Sequence, residues 1–181
     1  MYRKTWMQVN LDKIERNLIK LKDICQKKII AVLKADAYGC GDIHVARAVL
    51  EAGAEMIAVS SLDEALVLRN EGYLGKLLIL GATEASDIPV LIKQGISCTA
   101  YSDEWVDNVI QQNCADLHVH LKMDTGMSRI GFRTIDELHL AFNKLQAANC
   151  TMEGIFTHFC CADSDLELTN LQFSKFKEAV E

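Results

Sequence analysis

Apolar and polar residues follow two alternating patterns along the chain, one typical of short buried strands and the other of amphipathic helices. Short apolar runs predict strands at Ile29–Ala35, Met56–Val59, Leu77–Leu80, Ser97–Ala100, Leu117–Met123 and Met152–Phe156. Helical spacing of apolar residues predicts helices at Asp12–Gln26, Asp42–Ala52, Leu62–Asn70, Asp87–Lys93, Asp103–Asn113, Ile135–Ala148 and Glu167–Val180. After the first helix, every strand is therefore followed by a helix.

Short polar residues and glycines support the ends of these helices. Ser61 and Thr134 each precede a helix and have a glutamate three residues later, which is the spacing of a capping box. Ser102 precedes a helix whose first two residues are acidic, which suits the positive end of the helix dipole. Glycines fall where three helices should end, at Gly53, Gly72 and Gly95.

Strands that alternate with helices predict a parallel sheet with right-handed crossovers. The spacing of about 20 to 27 residues between most strands favours an α/β fold of the (β/α)8 TIM-barrel type. A doubly wound parallel sheet remains an alternative from the pattern alone. Only about six of the eight strand–helix units are found, so we expect one truncated barrel domain over residues 1–181, with two open sheet edges.

Composition and charge narrow the class of protein. The chain has 181 residues and a net charge of −6, which argues against a nucleic-acid or anionic-membrane partner. It has no long apolar run and no signal peptide, so we expect a cytoplasmic protein. Seven irregularly spaced cysteines indicate a reduced chain. Cys160 and Cys161 are neighbours, but on an extended segment they would face opposite ways, which disfavours metal or redox chemistry.

The segment AVLKADAYGCG places Lys34 at the end of the first predicted strand, just before a tight turn. Active sites of α/β barrels lie at the carboxyl ends of the strands. A desolvated lysine has a lowered pKa, and its neutral amine can form a Schiff base with an aldehyde such as pyridoxal phosphate. The alternative is a structural lysine whose amine reaches solvent.

The fifth strand, LHVHLKM, puts polar and apolar side chains on opposite faces. Alternation places His118, His120 and Lys122 on the face that points into the barrel, with leucine and valine on the face that packs on helices. The two histidines could bind a metal, but no third ligand is evident, and a hydrogen-bonded interior pair is the favoured interpretation. Gly126 then lets the backbone turn before Arg129.

Four segments resemble the motifs of the alanine racemases, in the same order and at similar spacing. They are TWMQVNLDKIERNL, AVLKADAYGCG, HLKMDTGMSRIGF and GIFTHFCCAD, which together extend over essentially the whole chain. The resemblance implies an isomerase that depends on pyridoxal 5'-phosphate and converts L-alanine to D-alanine for the bacterial cell wall. It also implies a homodimer whose C-terminal β-domain is absent from these 181 residues.

The resemblance assigns roles to three residues near the cofactor. Lys34 would form the Schiff base and act as one catalytic base. Tyr38 would help to hold the cofactor phosphate. His158 would lie against or beside the pyridine ring.

Three further residues would act toward the substrate. Arg129 would contact the phenolic oxygen of the cofactor and the substrate carboxylate, for which a guanidinium is well suited. Lys122 matches a lysine that is often carbamylated in the family, and its carbamate would orient Arg129. Met127 would lie near the amino-acid substrate. Cys40 stands where the family motif usually has histidine, which leaves the cofactor contacts at that position open.

Several functions remain open. Racemisation requires an acid/base on each face of the substrate, and the family supplies the second from a tyrosine in the C-terminal domain of the partner subunit. We therefore expect the chain alone to be inactive. The alternatives to alanine racemisation are a serine racemase of the vancomycin-resistance type and a non-catalytic binding module that keeps the pyridoxal-phosphate barrel. An amino-acid decarboxylase of the same fold is disfavoured by the KADAYG and DTGMSRIG motifs.

Overall fold

A computed structural model describes residues 4–181, in which strands and helices alternate as expected. The helices are α1 (Leu11–Cys25), α2 (Lys34–Gly39), α3 (Asp42–Glu51), α4 (Leu62–Asn70), α5 (Ile88–Gln94), α6 (Asp103–Ile110), α7 (Ile135–Ala147) and α8 (Leu166–Val180). The strands are β1 (Ile30–Val32), β2 (Met56–Val59), β3 (Leu77–Ile79), β4 (Cys98–Ala100), β5 (His118–Lys122) and β6 (Thr151–Phe156). The predictions for β2 and α4 are confirmed at both ends. No helix within residues 4–181 is both long and apolar enough to cross a membrane.

The chain divides into two compact units, with the boundary inside β3 after Leu77. In the first unit β1 and β2 are parallel and start in register at Ile30 and Met56. In the second unit β4, β5 and β6 form a parallel sheet in that order. The strands are those of an incomplete α/β barrel, as the sequence predicts.

Each unit buries its own apolar residues. In the first unit Ile57 and Ala58 of β2 are fully buried, and α1 packs against α3. In the second unit the central strand β5 buries Val119 and Leu121 as the alternation predicts. The less buried strands are β1 and β6, since residues at both ends of β1 are exposed and no residue of β6 is buried.

The predicted N-caps Ser61, Ser102 and Thr134 are confirmed, but of the two predicted capping boxes only the one at Thr134 is complete. The Ser61 and Ser102 hydroxyls accept from the backbone amides three residues on, and Thr134 forms a full capping box with Glu137. Positive φ angles follow three helices at Gly53, Gly72 and Gly95, where a side chain would be strained.

The prediction of a strand through Ala35 is wrong, because β1 ends at Val32. The next residues form α2, in which Ala35, Asp36, Ala37 and Tyr38 all have φ between 51° and 57°. These angles belong to the left-handed region, which costs about 1–2 kcal/mol for each residue with a side chain. A run of four such residues is therefore held by contacts from outside the segment.

Candidate functional site

Lys34 is the first residue of the segment α2 and lies two residues after the carboxyl end of β1. Its side chain is half-buried, and its Nζ lies 5.8 Å from the centroid of the Tyr38 ring. Tyr38 is 64% exposed, so its hydroxyl can reach a ligand in solvent. The segment thus presents an amine and a phenol side by side at a strand end.

Glu64 of α4 fixes the start of this segment. Its carboxylate accepts a hydrogen bond from the Ala35 amide at 2.8 Å, and it also accepts from the Ser60 amide at 2.7 Å and the Ser60 hydroxyl at 2.9 Å. Partial burial raises the pKa of the Glu64 carboxyl, but the bonds from Ser60 and Ala35 outweigh it and hold the pKa below its usual range. The ionised carboxylate therefore ties β2 to the residue that follows Lys34.

The far end of α2 is attached to α3. The Asp36 carboxylate accepts from the Asp42 amide at 2.8 Å, at the first residue of α3. The Ala37 amide donates to the Leu33 carbonyl at 2.9 Å, and the Gly41 amide donates to the Asp36 carbonyl at 3.0 Å. Hydrogen bonds on both sides thus compensate for the left-handed backbone around Lys34.

In the second unit, the loop after β5 carries Met127 and Arg129. Asp124 organises this loop, because its Oδ1 accepts from the amides of Gly126 at 3.0 Å and Ser128 at 2.9 Å. Although burial raises the pKa of Asp124, these two bonds outweigh it and leave the pKa lowered. Arg129 is exposed and Met127 is half-buried. The guanidinium is therefore available to a ligand.

Gly131 closes the same loop. A β-carbon at this position would lie 2.8 Å from the Lys122 carbonyl oxygen and 2.9 Å from the Asp124 amide nitrogen, and its φ is +123°. The absence of a side chain lets the backbone pass close to the end of β5, where the Phe132 amide donates to the Lys122 carbonyl at 2.9 Å.

Lys122 is a charged residue of the second unit whose side chain is almost completely buried. Its side chain is 1% exposed, and its Nζ lies 5.2 Å from the centroid of the Phe156 ring. Within residues 4–181 this nitrogen has no hydrogen-bond partner. Burial lowers the pKa of Lys122, and the nearby charge of Arg129 lowers it further. The amine is therefore more easily deprotonated than an ordinary lysine.

His158 lies on the exposed segment after β6. The fully buried Gln172 of α8 donates to the Thr125 hydroxyl at 3.3 Å and to the His158 carbonyl at 3.5 Å. Thr125 and Thr157 hydroxyls are 2.8 Å apart. This network connects the segments that follow β5 and β6, so the loop of Arg129 and the backbone of His158 share a support.

Both histidines of β5 contact Glu153, but the expectation of an interior pair is wrong for His118, whose side chain is 45% exposed at the start of the strand, and only His120 is buried. His118 Nδ1 lies 2.9 Å from one oxygen of Glu153, and His120 Nε2 lies 3.4 Å from the other. Desolvation raises the pKa of Glu153, but hydrogen bonds from Ser97 and His118 outweigh it and lower the pKa. Among the described residues no group of His, Cys, Asp and Glu is arranged to hold a metal ion.

The six residues expected at the site are divided between the units. Lys34 and Tyr38 belong to the first unit, and the second contains Lys122, Met127, Arg129 and His158. Sequence reasoning assigned Glu64 to a capping box and missed its bond to the Ala35 amide, and it missed the supports Asp124 and Gln172. The Asp-Thr-Gly sequence is typical of a turn in which the aspartate accepts from a nearby backbone amide, so it could have predicted the role of Asp124. No local signal predicts the Glu64–Ala35 bond or the role of Gln172, because these partners are distant in sequence.

Comparison with known proteins identifies the family of the chain. The profile described as "Alanine racemase, N-terminal domain" matches residues 9–181. An alanine racemase of Halalkalibacterium halodurans is 37% identical over 99% of this chain and 48% of its own length, and alanine racemase 1 of Oceanobacillus iheyensis is 38% identical over 99% and 50%. The chain therefore spans about half the length of the curated relatives it matches.

Solved structures agree with the sequence comparison. The crystal structure of an alanine racemase from Bacillus anthracis with bound L-Ala-P has a TM-score of 0.91 and 36% identity, over 99% of this chain and 48% of that one. A histidine racemase from Leuconostoc mesenteroides has a TM-score of 0.86 and 30% identity, over 92% and 46%. On this evidence, the chain belongs to the alanine racemase family and corresponds to its N-terminal barrel domain.

Proposed function

We propose that this chain binds pyridoxal 5'-phosphate through Lys34 and contributes that site to an enzyme that interconverts L- and D-alanine. The observation that carries the proposal is the half-buried Lys34, which lies between the end of a parallel strand and a costly left-handed turn. Strained backbone is kept where it serves a function, and barrels place reactive groups at this end of their strands.

The residues present fit this cofactor. When bound, pyridoxal phosphate supplies an aldehyde that a lysine amine can attack and a ring that delocalises the charge left by loss of an α-proton. Tyr38 would donate its hydroxyl to the phosphate, and His158 would lie against or beside the ring. Arg129 would donate to the phenolic oxygen and the substrate carboxylate, with Met127 near the substrate.

Lys34 would also move a proton. Its neutral amine would accept the α-proton on one face of the amino acid and return it, while inversion of the centre needs a second acid/base on the opposite face. By resemblance to the family, that group is a tyrosine of a C-terminal β-domain in the partner of a homodimer. Sedimentation of the intact protein as a dimer supports this part, and a monomer with full activity contradicts it.

Lys122 is proposed to carry a carbamate. Its buried nitrogen has a lowered pKa and no hydrogen-bond partner among residues 4–181, so the neutral form that attacks carbon dioxide is reached more easily than in an ordinary lysine. The nitrogen forms a bond to carbon and releases a proton, which leaves an anion. That anion would face the positive charge of Arg129 and hold its guanidinium in place.

The substrate is proposed to be alanine, and the context bacterial cell-wall synthesis in the cytoplasm. The names of the curated relatives support alanine. The similarity to a histidine racemase supports histidine as a second candidate beside serine. Chiral chromatography with alanine, serine and histidine ranks the three. Faster turnover of serine or histidine would overturn the assignment to alanine.

A trapping experiment tests the cofactor site. Pyridoxal phosphate is added, the protein is reduced with borohydride, and the modified peptide is located by mass spectrometry. We expect the label on Lys34 and its loss in Lys34→Arg. Lys28→Arg is the matched control, because Lys28 is a highly exposed lysine of the same unit, paired with Glu55 at 3.0 Å. A label that stays in Lys34→Arg contradicts the proposal.

A further inference from the structure

The adjacent residues Cys160 and Cys161 lie close to each other. Their Sγ atoms are 3.3 Å apart, so the expectation that the side chains face opposite ways is wrong. The reason is that β6 ends at Phe156, where its pairing with β5 stops, and that Cys161 begins a turn in which its carbonyl accepts from the Ser164 and Asp165 amides. The strand geometry that would separate neighbouring side chains is absent here.

We propose that Cys160 and Cys161 form a redox-active vicinal dithiol, which closes to a disulfide by exchange with a low-molecular-weight disulfide. This site is separate from the cofactor chemistry proposed above and does not depend on it. Neighbouring Cα atoms are 3.8 Å apart, closer than the usual spacing in disulfides, so the bond is strained and easily reduced. Such bonds are reversible switches rather than structural cross-links.

The two sulfurs have different roles. Cys160 is exposed and attacks first, while Cys161 is half-buried. The hydrogen bond with Cys160 raises the pKa of Cys161 to about 11, which disfavours Cys161 as the first nucleophile. Cys160 sulfur bonds to one sulfur of the reagent and expels a thiolate. Cys161 sulfur then displaces the second thiolate from Cys160, and the two protein protons end on the two released thiols.

Oxidation changes a contact that reaches the neighbouring loop. The Cys160 thiol donates to Gln172 Oε1 at 3.3 Å, next to the bond from the Cys160 amide at 3.1 Å. The disulfide has no thiol proton, so Gln172 Oε1 loses the bond from the Cys160 thiol and keeps the bond from the Cys160 amide. The same Gln172 side chain donates to Thr125 and to the His158 carbonyl. The redox state of the pair therefore acts on the loop that carries Arg129.

The first test uses hydroxyethyl disulfide, a neutral reagent that the nearby Asp163 and Asp165 do not repel. After acid quenching, peptide mass spectrometry follows the peptide with both cysteines. We expect it to lose two hydrogens and regain them with dithiothreitol, while exposed Cys25 takes a mixed-disulfide adduct as internal control. In Cys161→Ser we expect a stable adduct on Cys160. An adduct on the wild-type pair, a bond to another cysteine, or an unmodified pair beside modified Cys25 overturns the proposal.

Hydrogen exchange tests the coupling to the loop. In the oxidised protein we expect exchange of the peptide around Thr125 to rise by about threefold, as suits the loss of one weak sulfur hydrogen bond. The double variant Cys160→Ser, Cys161→Ser, treated with the same reagent, controls for effects at other cysteines. Equal exchange in oxidised and reduced wild-type protein overturns the coupling.

Discussion

The carboxylate of Glu64 offers a direct test of how the protein holds the backbone around Lys34. Replacement by alanine removes the acceptor of three hydrogen bonds, from the Ala35 amide, the Ser60 amide and the Ser60 hydroxyl. Bonds to a charged group contribute about 1.5–3 kcal/mol each. The three share one carboxylate and Ala35 is exposed, so they are not additive, and we expect a total loss of about 3 kcal/mol.

The assay is urea unfolding followed by circular dichroism at neutral pH. Glu64→Gln keeps one oxygen acceptor, but its NH2 group then faces a backbone N–H that needs an acceptor. We therefore expect the free energy of unfolding to fall by about 2 kcal/mol. Asp63→Asn is the matched control, because it removes the same charge from the preceding exposed position of α4 and is expected to stay within about 0.5 kcal/mol of wild type. Glu64→Ala within that range of the control would refute the reasoning.

The pH dependence gives a second check on Glu64. Its pKa in the folded protein lies below the ordinary value of 4.5, so its contribution to stability is complete above pH 4.5 and is lost as pH falls through the lowered value. The difference between wild type and Glu64→Ala should shrink over that interval. A difference that stays constant as pH falls through the interval would mean that the carboxylate charge is not what holds the turn.

Three further predictions concern residues of the second unit. Lys122→Met in buffer free of carbon dioxide should raise the free energy of unfolding by about 1 kcal/mol at pH 7, because an unpartnered amine is removed. Burial lowers the pKa of Lys122, so the stability of the wild type recovers as pH rises from the lowered pKa to 10.5. The stability advantage of Lys122→Met in urea unfolding should therefore shrink over this interval, and a constant advantage would contradict the lowered pKa. Gly131→Ala should lower the free energy of unfolding by about 3 kcal/mol in the same assay, because the added β-carbon meets backbone atoms. Gly72→Ala, which has positive φ but open space, should lower it by about 1 kcal/mol. Equal losses would contradict the close approach of the backbone at Gly131. Glu153→Gln should flatten the loss of stability below pH 4.5, because the lowered pKa of Glu153 makes its contribution disappear as pH falls. An unchanged acid limb of the stability curve would contradict the stabilisation of this carboxylate by Ser97 and His118.

Local patterning was sufficient for most of the secondary structure. The β2 strand is a short apolar run, and α4 begins with a serine cap, so both follow from residues adjacent in sequence. The alternation in β5 likewise predicted that His118 and His120 share a face, because side-chain direction in a strand has a period of two. The position of Arg129 after a strand followed from the same patterns, whereas Lys34 was predicted as the penultimate residue of the first strand and lies two residues after it.

The sequence by itself thus determined the order of strands and helices, the family, and which residues carry reactive groups. Only the tertiary structure decided the left-handed backbone after Lys34, the buried amine of Lys122, and the close approach of Cys160 and Cys161. The physical reason is the same for the first two. A left-handed turn depends on a carboxylate from a distant helix, and Lys122, whose pKa is lowered by burial, lies against the Phe156 ring of another strand. The cysteine pair depends on where a strand stops, which is set by pairing with its neighbour rather than by local preference.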